Sequence, residues 1–252
     1  MILLLSPTKQ MRSNVTYSGT SELPHFVEQT KLIAEQLQQL SIDEIQKMMK
    51  VNEKIATENY HRYQTFEVDA LGTPALLAYH GLQYKSMCPD HFTEDEMLFA
   101  AENIRILSGL YGILKPTMSI YPYRLEMLTK INIGEVGNLY EFWRPSLNQY
   151  FSENNDIFIN LASKEYSKVI PEQYKEAGKY ITCTFLVKKG ENDRVESTAS
   201  KIARGKMVSY VVKNRFTQPE QLKNFSEDGF AFCQERSNEG EYVYVVDKEG
   251  NL

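Results

Sequence analysis

"MILLLSPTK", residues 1–9, joins an apolar run directly to a polar turn. The run is far too short for a membrane span or for the apolar part of a signal peptide, and no basic segment precedes it. It is therefore expected to form a buried first strand, and no membrane association is expected. Open α/β sheets bind ligands at the carboxyl ends of their strands, which is where Ser6 and Lys9 lie. Lys9 is thus a candidate for contact with a phosphate; the alternative is a plain strand exit whose turn is fixed by Pro7.

Further helices and strands alternate along the whole chain. Ser41 with Glu44, and Thr93 with Glu96, have the spacing of a capping box, which predicts that a helix begins at each place. Helices are predicted at residues 25–40, 41–49, 52–66, 94–107 and 199–216, with a short helical turn after Pro219. Strands are predicted at residues 2–5, 75–79, 156–163, 180–190, 193–198, 229–235 and 241–247.

The connections between these elements are short. Residues 80–89 are predicted to form a loop, and a helix near residues 139–143 is expected to be interrupted or re-started by Pro145. No repeat, low-complexity tract or linker breaks the pattern. The sequence therefore predicts an α/β (mixed α+β) fold, a single compact domain over residues 1–252 with a mixed central sheet surrounded by helices.

The composition is that of a globular protein and excludes several functional classes. Of the 252 residues, 42% are hydrophobic and 24% are charged, which is far from the composition of disordered chains. The formal net charge of −5 argues against a protein that coats nucleic acid indiscriminately, although it permits a local basic patch. Three widely spaced cysteines without a C-x-x-C pair indicate neither a disulfide framework nor a zinc site, and a reducing cytoplasm fits them. The four histidines are scattered, so we expect no metal site and no cofactor.

The strongest local signal is the basic segment "STASKIARGKMVSYVVKNR", residues 197–215. No acidic residue occurs between Glu196 and Glu220. On a helix, positions 201, 204, 208, 212 and 215 share one stripe, which brings three of the five cations to one side. The segment is either a phosphate-binding strip or a solvated helix face. Gly205 within it indicates a close approach, either of a ligand or of a neighbouring helix. The cations of the segment are Lys201, Arg204, Lys206, Lys213 and Arg215.

"ILSGLYGILKP", residues 106–116, places two glycines three residues apart in an apolar run. Glycine permits positive φ, and exposed backbone amides form an anion-binding nest. One interpretation is a hairpin that presents its amides to a phosphate, held to the core by Leu107, Leu110 and Ile113. The other is a glycine helix cap followed by a turn.

Polar side chains in three further segments are candidates for the same cleft. "YPYRLEM" contributes Tyr123, Arg124 and Glu126, and Tyr84 follows the second predicted strand. "NLASKEY" contributes Asn160, Ser163 and Glu165. Core packing or ion pairing explains these residues equally, but together with Lys9 and the basic segment they can line one site.

Several short motifs occur in a fixed order between residues 3 and 215: LLSPTK, LSGLYGILKP, PYRLEM, NLYEFW, INLASKEY, KIARGKM and NR. This ordered set, which spans essentially the whole chain, resembles the YaaA family, the bacterial peroxide stress proteins. The resemblance implies a single compact α/β domain in the cytoplasm. It also implies a role in survival under hydrogen peroxide and in limiting the damage done by free intracellular iron.

The resemblance further implies binding of double-stranded DNA in a positively charged cleft, with a helix-hairpin-helix-like element. The DNA- or phosphate-binding residues would be Lys9, Lys201, Arg204, Lys206, Lys213 and Arg215. The hairpin would comprise Ser108, Gly109, Tyr111 and Gly112. The chain departs from the family's Gly-Asp…Tyr-x-Gly-Leu pattern after the second predicted strand, where Leu82 and Ser86 replace the acid and the second glycine.

The preferred hypothesis is a stress protein that binds duplex DNA through its backbone and not through its base sequence. Counterion release then makes the affinity depend on salt, with a log–log slope of about −0.9 for each phosphate contacted. A slope of about −4.5 is expected if five cations engage: Lys9, Lys201, Arg204, Lys206 and Arg215.

The alternative is an enzyme acting on a nucleotide or another phosphorylated small molecule. Lys9 and Arg204 would hold the phosphate, and Glu126, Glu165 or a tyrosine would supply acid–base chemistry. A pocket that brings Lys9, Arg124 and Glu126 together would favour the enzyme, whereas a groove as wide as a duplex backbone would favour DNA.

Overall fold

The apolar N-terminal run forms the first strand, β1 (Ile2–Leu5), whose four side chains are all buried, as predicted. The computed structural model describes residues 1–13, 15–189 and 192–247. In these residues the further strands are β2 (Thr73–Pro74), β3 (Ile104–Ser108), β4 (Gly112–Leu114), β5 (Ser119–Ile120), β6 (Phe158–Asn160), β7 (Tyr180–Lys189), β8 (Asn192–Arg194), β9 (Ala231–Phe232) and β10 (Glu241–Asp247). The helices are α1 (Val27–Gln38), α2 (Ile42–Met49), α3 (Glu53–Gln64), α4 (Ala75–Ala78), α5 (Leu82–Met87), α6 (Glu94–Asn103), α7 (Leu139–Ser152), α8 (Lys164–Ser167), α9 (Glu172–Glu176) and α10 (Ser197–Asn214).

β1 lies in the interior of a sheet of eight strands. It pairs in parallel with β3 on one side and with β6 on the other. β7 pairs in parallel with β6, and β10 pairs in parallel with β7, so five neighbouring strands run in one direction. β4, β8 and β9 pair antiparallel with β3, β7 and β10. The sheet is therefore mixed, and helices surround it in a single domain, which confirms the predicted fold class.

The order of the five parallel strands creates a crevice at one edge of the sheet. Counted along the chain, they lie in the order second, first, third, fourth, fifth. Flavodoxin-like sheets have this order, and their ligands bind outside the carboxyl ends of the first and third strands, where the connections diverge. In this chain those strands are β1 and β6, so the residues that follow Leu5 and Asn160 border the crevice.

Both predicted capping boxes are confirmed. Ser41 Oγ accepts the backbone N–H of Glu44 at 3.3 Å, and the Glu44 carboxylate accepts the Ser41 N–H at 2.8 Å. Thr93 and Glu96 make the same reciprocal pair at 3.2 and 2.8 Å. α2 and α6 begin directly after these residues because each pair satisfies backbone N–H groups that the first turn of a helix leaves unpaired.

The prediction for residues 75–89 is wrong. The apolar run at 75–79, predicted as a strand, contains the buried helix α4 after Pro74, and the segment predicted as a loop contains α5. A short apolar run has no periodicity that separates a buried strand from a buried helix, and alanine and leucine favour the helix. Because α5 is a helix, Gln83 and Tyr84 lie on a face that is buried against the rest of the domain.

The segment at residues 106–116 forms a β-hairpin in the core. β3 pairs with β4 through Leu107 and Ile113, and the preceding helix ends at Asn103, four residues before its predicted end. A turn and the short strand β5, not a helix, follow β4, so residues 106–116 are not the hairpin between two helices that was predicted here. Residues 104–106 form a strand and do not extend the helix because they pair with β1 in the sheet.

The glycines of this hairpin serve packing. Ser108 Oγ accepts the backbone N–H groups of Leu110 and Tyr111 at 3.2 and 3.0 Å, which closes the turn. A Cβ on Gly109 would lie 2.6 Å from the carbonyl oxygen of Leu125, and Gly112 has φ of +72°. Glycine is therefore required at both positions for close approach and for backbone conformation.

The C-terminal half follows the predicted order of elements, but the strand predicted at residues 193–198 is wrong beyond Arg194, where β8 ends, and Ser197 begins α10. α7 continues through Pro145 without a break, so the expected interruption is wrong. β6 is shorter than its predicted segment, and α10 begins two residues before the predicted start. β7 and β8 form the predicted antiparallel pair, and the residues that join them, 190 and 191, lie outside the described residues.

Candidate functional site

A cavity of about 560 Å³ occupies the crevice at the carboxyl ends of β1 and β6. Residues from five parts of the chain line it: 6–10 after β1, 81–84 at the start of α5, 123–126 after β5, Ser163 with 165–166 after β6, and Ser197, Lys201 and Arg204 on α10. We call this cavity the central cleft. Its position is the one that the strand order predicts for a ligand site.

The floor of the central cleft joins the two strands at which the connections diverge. Ser163 donates its backbone N–H to Ser6 Oγ at 2.8 Å, and the two hydroxyl oxygens lie 3.3 Å apart. Tyr84 donates its hydroxyl to the carbonyl oxygen of Ser6 at 2.8 Å. These bonds hold the segments after β1 and β6 against each other and against α5.

Lys9 and Glu126 form an ion pair at the mouth of the central cleft. The Lys9 side chain is 59% exposed, and exposed ion pairs contribute only about 0–1 kcal/mol. A phosphate can therefore replace Glu126 as the partner of Lys9 at little cost. Arg124 also lines the cleft, and its backbone carbonyl accepts the Tyr63 hydroxyl.

The carboxyl group of Glu165 lies in the cleft and is half-buried. Its carboxylate accepts the Leu128 backbone N–H at 3.1 Å, and Tyr140 donates its hydroxyl to the Glu165 carbonyl at 2.9 Å. Partial burial raises the pKa of Glu165, the negative charge of Glu126 raises it further, and Lys9 opposes both. When two carboxyl groups in one cavity lie in different environments, one can serve as an acid and the other as a base.

Tyr123 contributes a buried hydroxyl to the wall. Its oxygen lies 2.7 Å from that of Tyr79 and 2.6 Å from Ser108 Oγ. Burial raises the pKa of Tyr123 to about 12, so this phenol stays neutral at physiological pH. The hydroxyl makes its hydrogen bonds to Tyr79 and Ser108 in the core, and these bonds hold Tyr123 in place in the wall of the cleft.

The basic helix α10 contributes Lys201 and Arg204 to the cleft, whereas its other cations lie elsewhere. Lys201 is exposed, and burial lowers the pKa of the Arg204 guanidinium. Lys206 is paired with Asp228, outside the cleft. Arg215 is the left-handed C-cap residue of the helix, and its guanidinium lies 3.0 Å from Asp95.

The predicted stripe along α10 is therefore wrong beyond its first turns. Val208 and Val212, which share that stripe, are fully buried in the core. Lys213 is exposed at the far end of the helix and does not line the cleft. Because Val208 and Val212 pack into the core, the later turns of α10 do not face the cleft. Of the five cations of the helix, the two nearest its start, Lys201 and Arg204, line the cleft.

The remaining predicted site residues divide in the same way. Ser6, Lys9, Tyr84, Tyr123, Arg124, Glu126, Ser163 and Glu165 line the central cleft. Asn160 does not; it is buried at the end of β6, where its Oδ1 accepts the Ala162 backbone N–H at 3.0 Å. The hairpin residues Ser108, Gly109, Tyr111 and Gly112 are buried in the core, so their amides cannot meet a phosphate.

Several residues of the cleft, among them Gln83 and Thr8, are not predicted as site residues from the sequence. Gln83 lines its wall from α5, and Thr8 lies beside Gly81, where a Cβ would be 2.2 Å from Thr8 Oγ1. Gln83 was not predicted as a site residue because residues 80–89 were interpreted as a loop. A helix beginning after Gly81 would have pointed to the buried face that Gln83 shares with Tyr84.

The described residues also set limits on other kinds of site. Over residues 1–13, 15–189 and 192–247, no group of three or more histidine, cysteine, aspartate or glutamate side chains is placed to hold a metal ion. Within the same ranges, no helix combines the length and the apolar character needed to cross a membrane. The three cysteines are free thiols.

Comparison with known proteins agrees with the resemblance in the motifs. A family model described as "Peroxide stress protein YaaA" matches residues 1–236. A UPF0246 protein of Clostridioides difficile is 43% identical over 245 residues, which cover 97% of this chain and 99% of the relative. UPF0246 proteins of Ligilactobacillus salivarius and Lachnoclostridium phytofermentans are 38% and 36% identical over 245 residues, covering 97% of this chain and 99% and 96% of theirs. The chain therefore belongs to the family of the peroxide stress protein YaaA.

Proposed function

We propose that this peroxide stress protein binds double-stranded DNA through its phosphate backbone, at the central cleft, without reading the base sequence. One observation carries the proposal: Lys9, Lys201 and Arg204, which are nearly 200 residues apart at the extremes, line one cavity in a chain of net charge −5. Cations concentrated in a concave surface attract a polyanion much more strongly than the same charges dispersed over the molecule.

We extend the proposal to a role in limiting the damage done by free iron. A duplex carries a condensed layer of cations, and a protein that neutralises phosphates releases them. A protein bound along the backbone would thereby displace iron from the DNA surface, where peroxide would otherwise react with it. The proposal locates this activity in the cytoplasm, a compartment that fits three widely spaced cysteines without a C-x-x-C pair.

A salt titration of duplex binding tests the proposal. The three cations proposed to contact DNA, Lys9, Lys201 and Arg204, contribute about −0.9 each and predict a log–log slope of about −2.7, not the −4.5 expected from five. Fluorescence anisotropy of a labelled duplex of mixed sequence, measured between low and moderate salt, gives this slope. A second duplex of unrelated sequence should bind with the same affinity. A slope near zero, or a strong preference for one sequence, would contradict backbone binding.

A second candidate is an enzyme acting on a nucleotide or another phosphorylated small molecule in the same cleft. The observation that favours it is the convergence of Lys9, Arg124 and Glu126 in a cavity of about 560 Å³, a volume typical of small-molecule sites. Lys9 and Arg204 would hold the phosphate. Glu165, whose pKa is raised, would serve as the acid and Glu126 as the base.

The titration of Glu165 tests this second candidate. Between the ordinary glutamate pKa and the raised value, the folded state binds more protons at Glu165 than the unfolded state does, so its contribution to stability decreases as the pH rises. Glu165→Gln should remove that decrease in urea unfolding measured across this pH range. By NMR of the side-chain carboxyl carbons, Glu126→Gln should lower the Glu165 midpoint and Lys9→Ala should raise it. Unchanged midpoints in both variants would show that the three groups are not coupled.

A further inference from the structure

Two buried donors in the wall of the central cleft have no hydrogen-bond partner. They are Gln83 Nε2 and Arg204 Nε, and the Gln83 residue is only 8% exposed. Among the described residues, four buried side-chain nitrogen or oxygen atoms lack a partner, and three of them belong to α5 and α10; the third of these is Ser200 Oγ. Buried donors are normally satisfied, so the two unpartnered donors that line the cleft, on Gln83 and Arg204, indicate that a ligand supplies their acceptor.

The close packing of α10 on α5 brings together the two helices that carry these donors. A Cβ on Gly205 would lie 2.1 Å from the backbone carbonyl oxygen of Gln83, so only glycine allows the two helices to approach this closely. Arg204, the neighbour of Gly205 in the sequence, lines the same cleft as Gln83. The close approach predicted from Gly205 is therefore made by a helix and not by a ligand.

The charged groups near the two donors indicate the chemical class of ligand that this wall can bind. Lys201 lies one turn before Arg204, and Ser197 is the first residue of the 18-residue helix α10. A helix N-terminus favours anions because its first backbone N–H groups point outward. Among the described residues, the carboxylates that line the cleft are Glu126 and Glu165, and both come from other segments. This wall therefore presents two cations and an amide donor, a set that suits a group carrying several acceptor oxygens and two negative charges.

We propose that Gln83 and Arg204, with Lys201, form an inner subsite of the central cleft that binds a terminal phosphate monoester. The inference rests on the proposed binding of phosphate groups in this cleft and makes it more specific. Gln83 is almost completely buried, so a terminal phosphate reaches it more readily than a phosphate within a continuous backbone does. Two sources supply this chemistry: a free nucleoside monophosphate, or the phosphorylated end of a DNA strand.

Calorimetric titration with AMP and with adenosine tests the subsite. AMP should bind and adenosine should not, because only AMP carries the monoester. Gln83→Leu should weaken AMP binding by about tenfold, the effect of removing one hydrogen bond to a charged group. Gln173→Leu, the same change at an exposed position on α9, should leave AMP binding unchanged. Equal AMP affinity in the two variants would overturn the proposal.

Thermal unfolding distinguishes a ligand-binding role for Gln83 from a structural one. Without ligand, Gln83→Leu should unfold at the same temperature as the parent or higher, because it removes a buried donor that has no partner. A substantial decrease in the unfolding temperature would show that Gln83 supports the fold instead, and would overturn the assignment.

Three DNA probes separate the two sources from each other and the subsite from the proposed function. Tighter binding of a duplex with 5′-phosphates than of the same duplex with 5′-hydroxyls, lost in Gln83→Leu, would identify a strand end as the ligand. AMP binding without this difference would identify a free nucleotide. Retained binding of closed circular DNA without any AMP binding or 5′-phosphate effect would overturn the subsite and leave backbone binding intact.

Discussion

Replacing Trp143 by alanine is expected to lower the free energy of unfolding by about 3–5 kcal/mol, the cost of removing a large aromatic side chain from a packed core. Trp143 is fully buried, and its indole Nε1 donates to the carbonyl oxygen of Gly109 at 2.9 Å. Its ring also packs against Gly112, where a Cβ would come within 2.8 Å of the indole carbons. The indole therefore holds the turn between β3 and β4, and its loss leaves both a cavity and an unpaired carbonyl.

Urea unfolding followed by far-UV circular dichroism measures this loss, since Trp143 is the only tryptophan of the chain. Trp143→Phe keeps an aromatic ring but removes the donor, so it should cost less than the alanine variant does. Leu98→Ala is the control; Leu98 is 59% exposed, and its loss should change stability by less than about 0.5 kcal/mol. A Trp143→Ala cost below about 1 kcal/mol would show that the hairpin does not depend on this anchor.

Removing the two cleft cations of α10 is expected to have the largest effect on binding. The double variant Lys201→Ala with Arg204→Ala should weaken duplex binding by about 100-fold, because each substitution removes a charge-assisted contact. The salt slope should decrease in magnitude by about 1.8, leaving about −0.9 from Lys9. Both quantities come from one anisotropy titration repeated at several salt concentrations.

The same helix provides a matched control. Lys206→Ala with Lys213→Ala removes the same charge from α10, but neither side chain lines the central cleft. This variant should bind duplex DNA within about threefold of the parent and keep its salt slope. If both double variants lose the same affinity, net charge and not the cleft would govern binding.

Local signals predicted the parts of the fold that depend on few residues. The four apolar residues of β1 and the capping pairs at Ser41 and Thr93 form what their sequences indicate, because the determining contacts lie within a few positions. Residues 75–78 were mispredicted because a short apolar run fits a buried strand and a buried helix equally well. Tertiary packing decides between them, and the sequence pattern does not contain that information.

The candidate site shows the same division. Ser6, Lys9 and Ser163 were predictable because they follow β1 and β6, and strand ends of a parallel sheet meet at one edge. The cations at the far end of α10 could not be assigned, because the helix face turned to the cleft is decided by a long-range contact, Gly205 against Gln83. Gln83 itself carries no local signal of function.

The close contact between α10 and α5 also bears on how the site responds to a ligand. At Gly205 the distance between the two helices is set by the backbone of Gln83, which has no rotamer to change. The binding wall is therefore preorganised, and association loses little conformational entropy there. Recognition at this wall should be rigid, so that selectivity comes from the shape of the ligand and not from rearrangement of the protein.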